Sequence, residues 1–330
     1  MSLPLSIPEQ AYAELAKIFT TRHEHNQTLE IEILPPGFGT LLHDGCSVGI
    51  TKKVLVGAFV AARRVFFEKQ SSTKTEELYE DEDVLRASEI IILFAAEHAT
   101  ACNWRKRRLV KMLEARNDDT LETLDTELTL TASYLCSPLH RHTKSPTLWQ
   151  HRLWVLRRTL GIRELGETPK ATQSLLQSEL SIVLRSGELH PRNYYAFSYM
   201  RQLHTLLSKT GPEAEDITIA LLERTMSWCQ ANTRDISGWM FALYLLEAIP
   251  DRWDVQARVV DTVVRFALDI GWTGESLWTF VDLAIRKMGV VDAVRGLLET
   301  SAGEHDGTAL PGKSWKTWLG MAETYWAAAT

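Results

Sequence analysis

The sequence predicts an all-α protein built from repeated helical hairpins that stack into a solenoid. Three observations carry this. From Glu82 onward apolar residues recur at helical spacing, and Gly and Pro fall between segments rather than within them. Strand-like alternation is absent from that region. Large aromatic residues also recur at a repeat-length period: Trp104, Trp149, Phe197, Trp239 and Trp278 are separated by 45, 48, 42 and 39 residues. A hairpin cannot bury its apolar face alone, and stacking on like neighbours does so. A ring near the start of each second helix fills the gap between consecutive hairpins, and burying it contributes about 2–3 kcal/mol.

Taken in order, residues 7–20 form the first helix, with Pro8 in its first turn and Tyr12, Leu15, Ile18 and Phe19 on its apolar face. Residues 31–34 alternate weakly before Pro35, Pro36, Gly37 and Gly39, a short extended piece followed by a loop. A second helix covers Lys52 to Lys69, and the polar, mostly acidic stretch from Ser71 to Asp83 reads as a solvated loop or helix start. Leu121, Leu124, Leu128 and Leu135 mark one helix face, and Trp149, Leu153, Leu156 and Leu160 another. Residues 172–186, 213–231, 254–269 and 276–288 complete the helical segments. The organisation is an N-terminal extension over 1–85, about five hairpins over 86–300, and a linker with a Trp-rich final helix (Trp315, Trp318, Trp326) over 301–330.

Composition narrows the function. The chain has 330 residues, 45% hydrophobic and 24% charged, too apolar for a disordered chain. Its 36 basic and 42 acidic residues give a net charge of −6, which argues against nucleic acid as a partner. No apolar run approaches the roughly 18–20 residues of a membrane span. The start lacks a basic region followed by an apolar stretch of signal-peptide length. Cys46, Cys102, Cys136 and Cys229 lie far apart without a CxxC pair, which fits a reducing cytoplasm rather than a disulfide framework or zinc ribbon. The close histidine pairs, His23 with His25 and His140 with His142, lie in polar segments without a third ligand, so no metal site is expected. Pro36-Gly-Phe-Gly lacks the lysine and hydroxyl residue of a phosphate cradle.

Two hairpins carry a specific motif, Lys144-Ser-Pro-Thr-Leu-Trp-Gln-His-Arg and His190-Pro-Arg-Asn-Tyr-Tyr-Ala-Phe-Ser-Tyr-Met-Arg. Both resemble the Asn-Tyr-x-x-Trp-x-x-Arg opening of the protein prenyltransferase α-subunit repeat. The Lys-Ser-Pro-x-x-Trp-x-His-Arg form is most similar to the branch serving as α subunit of the type III geranylgeranyltransferase. Glu30-Ile-Glu-Ile-Leu-Pro, Ala101-Cys-Asn-Trp-Arg-Lys-Arg and Asp235-Ile-Ser-Gly-Trp extend the likeness over residues 30 to 290. It departs at Phe197, where Trp is usual, and at Arg201, displaced by one position. The fourth and fifth repeats lack the arginine altogether.

The resemblance implies a right-handed superhelix of hairpins wrapped around a Rab-type β subunit that carries zinc and most of the isoprenoid pocket. This chain alone would bind no cofactor. The pair would transfer geranylgeranyl from its diphosphate to the C-terminal cysteine of a protein substrate. By the same resemblance Lys144 supplies a cation to the departing diphosphate, and Arg192, Asn193, Tyr194 and Tyr195 face the reacting groups, with Tyr195 standing where the family has histidine. Arg107 and Arg152, three residues after their tryptophans, fit a structural role beside the rings Trp104, Trp149, Phe197, Trp239 and Trp278. Three readings stay open: a prenyltransferase α subunit, a non-catalytic helical-repeat adaptor, and a stand-alone enzyme acting on a small molecule.

Overall fold

The computed structural model describes residues 6–72, 75–115, 119–163, 168–208, 211–289 and 320, so the expected Trp-rich C-terminal helix lies outside the described residues. The described chain is mostly helical. It divides into two compact units, residues 1–203 and 204–330.

The first unit opens with α1 (Ile7–His25), started by a Ser6/Glu9 capping box and stopped by Asn26 in the left-handed conformation. Three strands follow, β1 (Glu30–Leu34), β2 (Leu41–Asp44) and β3 (Ser47–Thr51), in the order β1-β3-β2. β1 runs parallel to β3, and β2 antiparallel to it. The sequence pattern shows only the first of these as extended; the sheet corrects that expectation. The pattern is faint because each strand is short and only one face is covered, by Ile31, Val48 and Ile50. Gly45, at φ 56°, makes the tight link between β2 and β3 that a residue with a Cβ adopts at a cost.

Next come α2 (Lys52–Ser72) and the single turn α3 (Thr75–Leu78). The first hairpin is α4 (Glu82–Phe94) with α5 (Ala99–Ala115). The second is α6 (Thr120–Leu135), a one-turn α7 (His140–Thr143) in the link, and α8 (Pro146–Arg163). The third is α9 (Pro169–Leu189) with α10 (Tyr194–Leu207), whose last residues belong to the second unit. The outer edge of β1 is satisfied by α6, since the backbone N–H groups of Leu29 and Ile31 donate to Ser133 Oγ and Ser137 Oγ, both at 2.8 Å. Asp81 caps α4 by accepting from the N–H groups of Asp83 and Val84.

The second unit holds α11 (Pro212–Ala231) with α12 (Ile236–Glu247), and α13 (Trp253–Asp269) with α14 (Glu275–Met288). The segments expected from periodicity therefore appear with ends displaced by a few residues. Among the described residues no helix is long and apolar enough to cross a membrane.

One buried group in the second unit sets a pH dependence. His204 is 3% exposed, its Nδ1 lies 2.9 Å from Tyr244 Oη and its Nε2 3.0 Å from Thr218 Oγ1, and burial pushes its pKa down from 6.5 to about 4. The folded state holds the neutral ring, so the unfolded chain takes up a proton first as pH falls. The contribution is complete above about pH 6.5 and is lost progressively down to about pH 4, a total of about 3 kcal/mol. Urea midpoints recorded from pH 7 to 4.5 fall steeply for the native chain, and His204→Gln flattens that fall. Parallel profiles for the two proteins would contradict this.

Candidate functional site

The links between the first and second helices of the hairpins carry the candidate residues, and one rule organises them. Trp149 donates its indole N–H to the Thr143 carbonyl at 2.9 Å, Trp239 to Thr233 at 3.0 Å, and Trp278 to Trp272 at 2.8 Å. Each acceptor lies six residues before its ring. The tryptophan thus closes the link leading into its own helix and satisfies a carbonyl that helix geometry leaves over. Its ring then packs on the following hairpin two residues beyond that hairpin's own anchor: Trp149 on Tyr199 at 5.0 Å between centroids, and Trp239 on Phe280 at 5.2 Å. Trp104 departs from the rule. Its indole nitrogen is buried without a partner, and its ring packs edge-on to Phe66 and stacks with Tyr79.

The third hairpin has Phe197 at the anchor, and a phenyl ring has no N–H to give. The equivalent carbonyl, six residues back, is that of Pro191, and Lys144 Nζ from the preceding link donates to it at 2.8 Å. Lys144, expected to meet a diphosphate, therefore stands on the third hairpin's link. Beside it are Arg192, exposed and at φ 61°, and Tyr194, 59% exposed. The Tyr194 and Tyr195 rings lie 4.3 Å apart, and the hydroxyl bond between them raises the Tyr195 pKa.

Asn193, expected on the same face, is fully buried. Its Nδ2 donates to Thr143 O at 2.7 Å and to Ser186 Oγ at 2.8 Å, while its Oδ1 accepts from the Ala196 N–H at 3.3 Å. It caps α10 and ties it to the preceding link. His190 Nδ1 lies 2.9 Å from Thr143 Oγ1, and the ring of His140 meets that of His190 edge-on at 4.9 Å. One link earlier, Ser145 and Thr147 both donate to Glu97.

Beneath the links runs a row of buried ion pairs. Arg152 holds both oxygens of Glu179 through its Nε and Nη2, at 2.8 and 2.7 Å, and Tyr199 Oη donates to the same carboxylate at 2.6 Å. Arg105 holds Glu127 likewise, at 2.8 and 2.5 Å, and His151 Nε2 lies 2.6 Å from Glu127 Oε1. Burial raises the Glu127 pKa, but Arg105 and His151 outweigh it and hold the carboxyl well below its ordinary range. Arg107, named from its spacing after Trp104, is exposed; Arg105 takes the buried place. One residue after the anchor points into the joint in the first hairpin and three residues after it in the second.

The sequence reading missed Arg105, Glu127, His151 and Glu179. The available signal was a lone glutamate on the buried face of α6 and another on that of α9. In the second unit the position two residues after the anchor is apolar, Phe241 and Phe280, both fully buried. His142, from one of the close histidine pairs, is buried with Nε2 3.0 Å from the Ile92 carbonyl, and burial lowers its pKa. Among the described residues no group of three or more His, Cys, Asp or Glu is placed to hold a metal ion.

Residues 153–265 match the family described as the ECM9 middle domain. The human protein prenyltransferase alpha subunit repeat-containing protein 1 is 27% identical over 135 residues, 37% of this chain and 32% of that protein. The Xenopus laevis protein of the same name, form 1-B, is 26% identical over 123 residues, 34% of this chain and 27% of that one. The Danio rerio protein is 26% identical over 122 residues, 34% and 28% of the two chains. This chain is similar to the prenyltransferase α-subunit repeat proteins. The likeness spans 27–32% of the length of these relatives.

Proposed function

We propose that this chain is the α subunit of a heterodimeric protein prenyltransferase, most like type III. It acts in the cytoplasm with a Rab-type β subunit to move geranylgeranyl from its diphosphate to a C-terminal cysteine of a protein. The observation that carries this reading is the link of the third hairpin. There an ammonium, a guanidinium and two phenols (Lys144, Arg192, Tyr194, Tyr195) reach the surface together, on a chain similar to proteins named for that subunit's repeat. Zinc on the β subunit supplies a thiolate at neutral pH.

This chain's part is electrostatic. Breaking the C1–O bond gathers negative charge on the departing diphosphate, and Lys144 and Arg192 are the cations here that answer it. A single well-placed donor is worth on the order of 100-fold in rate. Reconstitution with the β chain, labelled geranylgeranyl diphosphate and a protein ending in cysteine tests the reading. Incorporation requires both chains, and Lys144→Ala assembles normally but turns over about 100-fold more slowly. Unchanged turnover would remove Lys144 from the chemistry, and incorporation by the β chain alone would remove the reading.

A second reading, a non-catalytic helical-repeat adaptor, is favoured by two contacts. Asn193 is spent on an internal joint, and Lys144 has committed one of its donors to the Pro191 carbonyl. A stoichiometric partner that co-purifies without prenyl transfer selects it.

A further inference from the structure

We infer that Phe197 is a positioning residue for Lys144: by lacking an indole N–H it leaves the Pro191 carbonyl to the lysine and so anchors the ammonium on the third hairpin's link. The argument is one of equivalence. In the second, fourth and fifth hairpins the carbonyl six residues before the anchor accepts from that anchor's own indole nitrogen, at 2.8–3.0 Å, joined in the second by the neighbouring Asn193 and Ser186 side chains. In the third, the same carbonyl is taken by Lys144 Nζ at 2.8 Å. Thus a change from tryptophan to phenylalanine, at a fully buried position, decides where a cation sits on the surface. The exchange also joins two hairpins, since the donor comes from the link before.

An ammonium has three N–H donors, and the carbonyl takes one of them. A lysine held in this way presents the other two from a fixed place beside Arg192, instead of sweeping the volume that four rotatable bonds allow. Fixing a charge in advance removes an ordering cost when an anion arrives. That the fixed charge serves a reacting diphosphate rests on the function proposed above; the clamp itself rests on geometry alone.

Phe197→Trp returns the indole N–H to Pro191, where it competes with Lys144 and loosens it, whereas Phe197→Leu offers no donor and leaves the clamp closed. Reductive methylation followed by peptide mass spectrometry reads the difference on the full chain. Lys144 reacts about three- to fivefold faster in Phe197→Trp than in the native protein, the factor expected for loss of one solvent-exposed hydrogen bond of ordinary net strength. In Phe197→Leu the rate stays within experimental error of native. Equal rates in native and Phe197→Trp, with both folded by circular dichroism, would overturn the inference, as would an equal rise in the Leu variant.

Should the larger ring prevent folding, the clamp is read directly in the native chain. Scalar coupling between Lys144 Nζ and the Pro191 carbonyl carbon is expected, and it persists in Phe197→Leu. Its absence from the native protein overturns the inference. None of these readouts needs prenyl transfer, so a closed clamp in a chain that supports no transfer would defeat the proposed function and leave the inference standing.

Discussion

Arg105→Met is expected to destabilise the first unit by about 3–5 kcal/mol, more than any surface ion-pair variant. Arg105 is 3% exposed; it holds both oxygens of Glu127, donates to Ser88 Oγ at 2.7 Å, and lies 3.6 Å from Glu89 Oε1. Removing it leaves Glu127, 4% exposed, hydrogen-bonded to His151 but without its guanidinium, in surroundings where an unpaired carboxylate is costly. Removing both charges in Arg105→Met/Glu127→Met costs less than Arg105→Met alone, because no charge is then stranded. Salt separates this pair from a surface one. The loss in Arg105→Met is the same in dilute buffer and in 1 M salt (about 3 Å of screening length), since water and ions do not reach the joint. The exposed pair Arg265–Asp261, at 2.8 Å, contributes little and fades in salt. Denaturant midpoints measure both variants, and a loss below about 1 kcal/mol for Arg105→Met would show that the pair does not hold the joint.

That pair also shows which parts of the molecule were legible in the sequence. The helices were, because each buries one face and 3.6-residue spacing writes that face into the chain; α9, α11, α13 and α14 begin and end within a few residues of their periodic patterns. The anchors were visible because they are large, rare and evenly spaced. The ion pairs were not, because the partner of Arg105 lies 22 residues away and that of Arg152 lies 27 away, on the next hairpin. The choice between Arg105 and Arg107 turns on the helix rotation at the joint, which the motif spacing does not fix. The sheet was hidden for another reason. Its alternation is divided among three short strands, one of them almost wholly exposed, so no single stretch carries enough periods to be read. Lys144 stood out as a residue, but its contact did not. The bond to Pro191 becomes intelligible once the indole bonds of the other hairpins are set beside it.

The second large effect falls on the anchors, and the hairpins differ in a way that tests the linking rule itself. Trp149→Ala and Trp239→Ala each cost about 3–5 kcal/mol, as expected for emptying a fully buried aromatic site. Replacement by phenylalanine keeps most of the ring and removes the N–H, so it isolates the bond to the link. The Thr143 carbonyl freed in Trp149→Phe already accepts from Asn193 Nδ2 at 2.7 Å and Ser186 Oγ at 3.3 Å. The Thr233 carbonyl freed in Trp239→Phe has no such pair of side-chain donors among the described residues, and leaving this partly buried carbonyl short of a donor costs about 1 kcal/mol. Trp239→Phe should therefore lose about 1 kcal/mol more than Trp149→Phe. Amide exchange across each link reports the same difference locally, with faster opening at 233–239 than at 143–149. Equal losses in the two phenylalanine variants would mean that the rings hold the hairpins by packing alone, and the exchange of an indole for a lysine at Phe197 would then have no energetic basis.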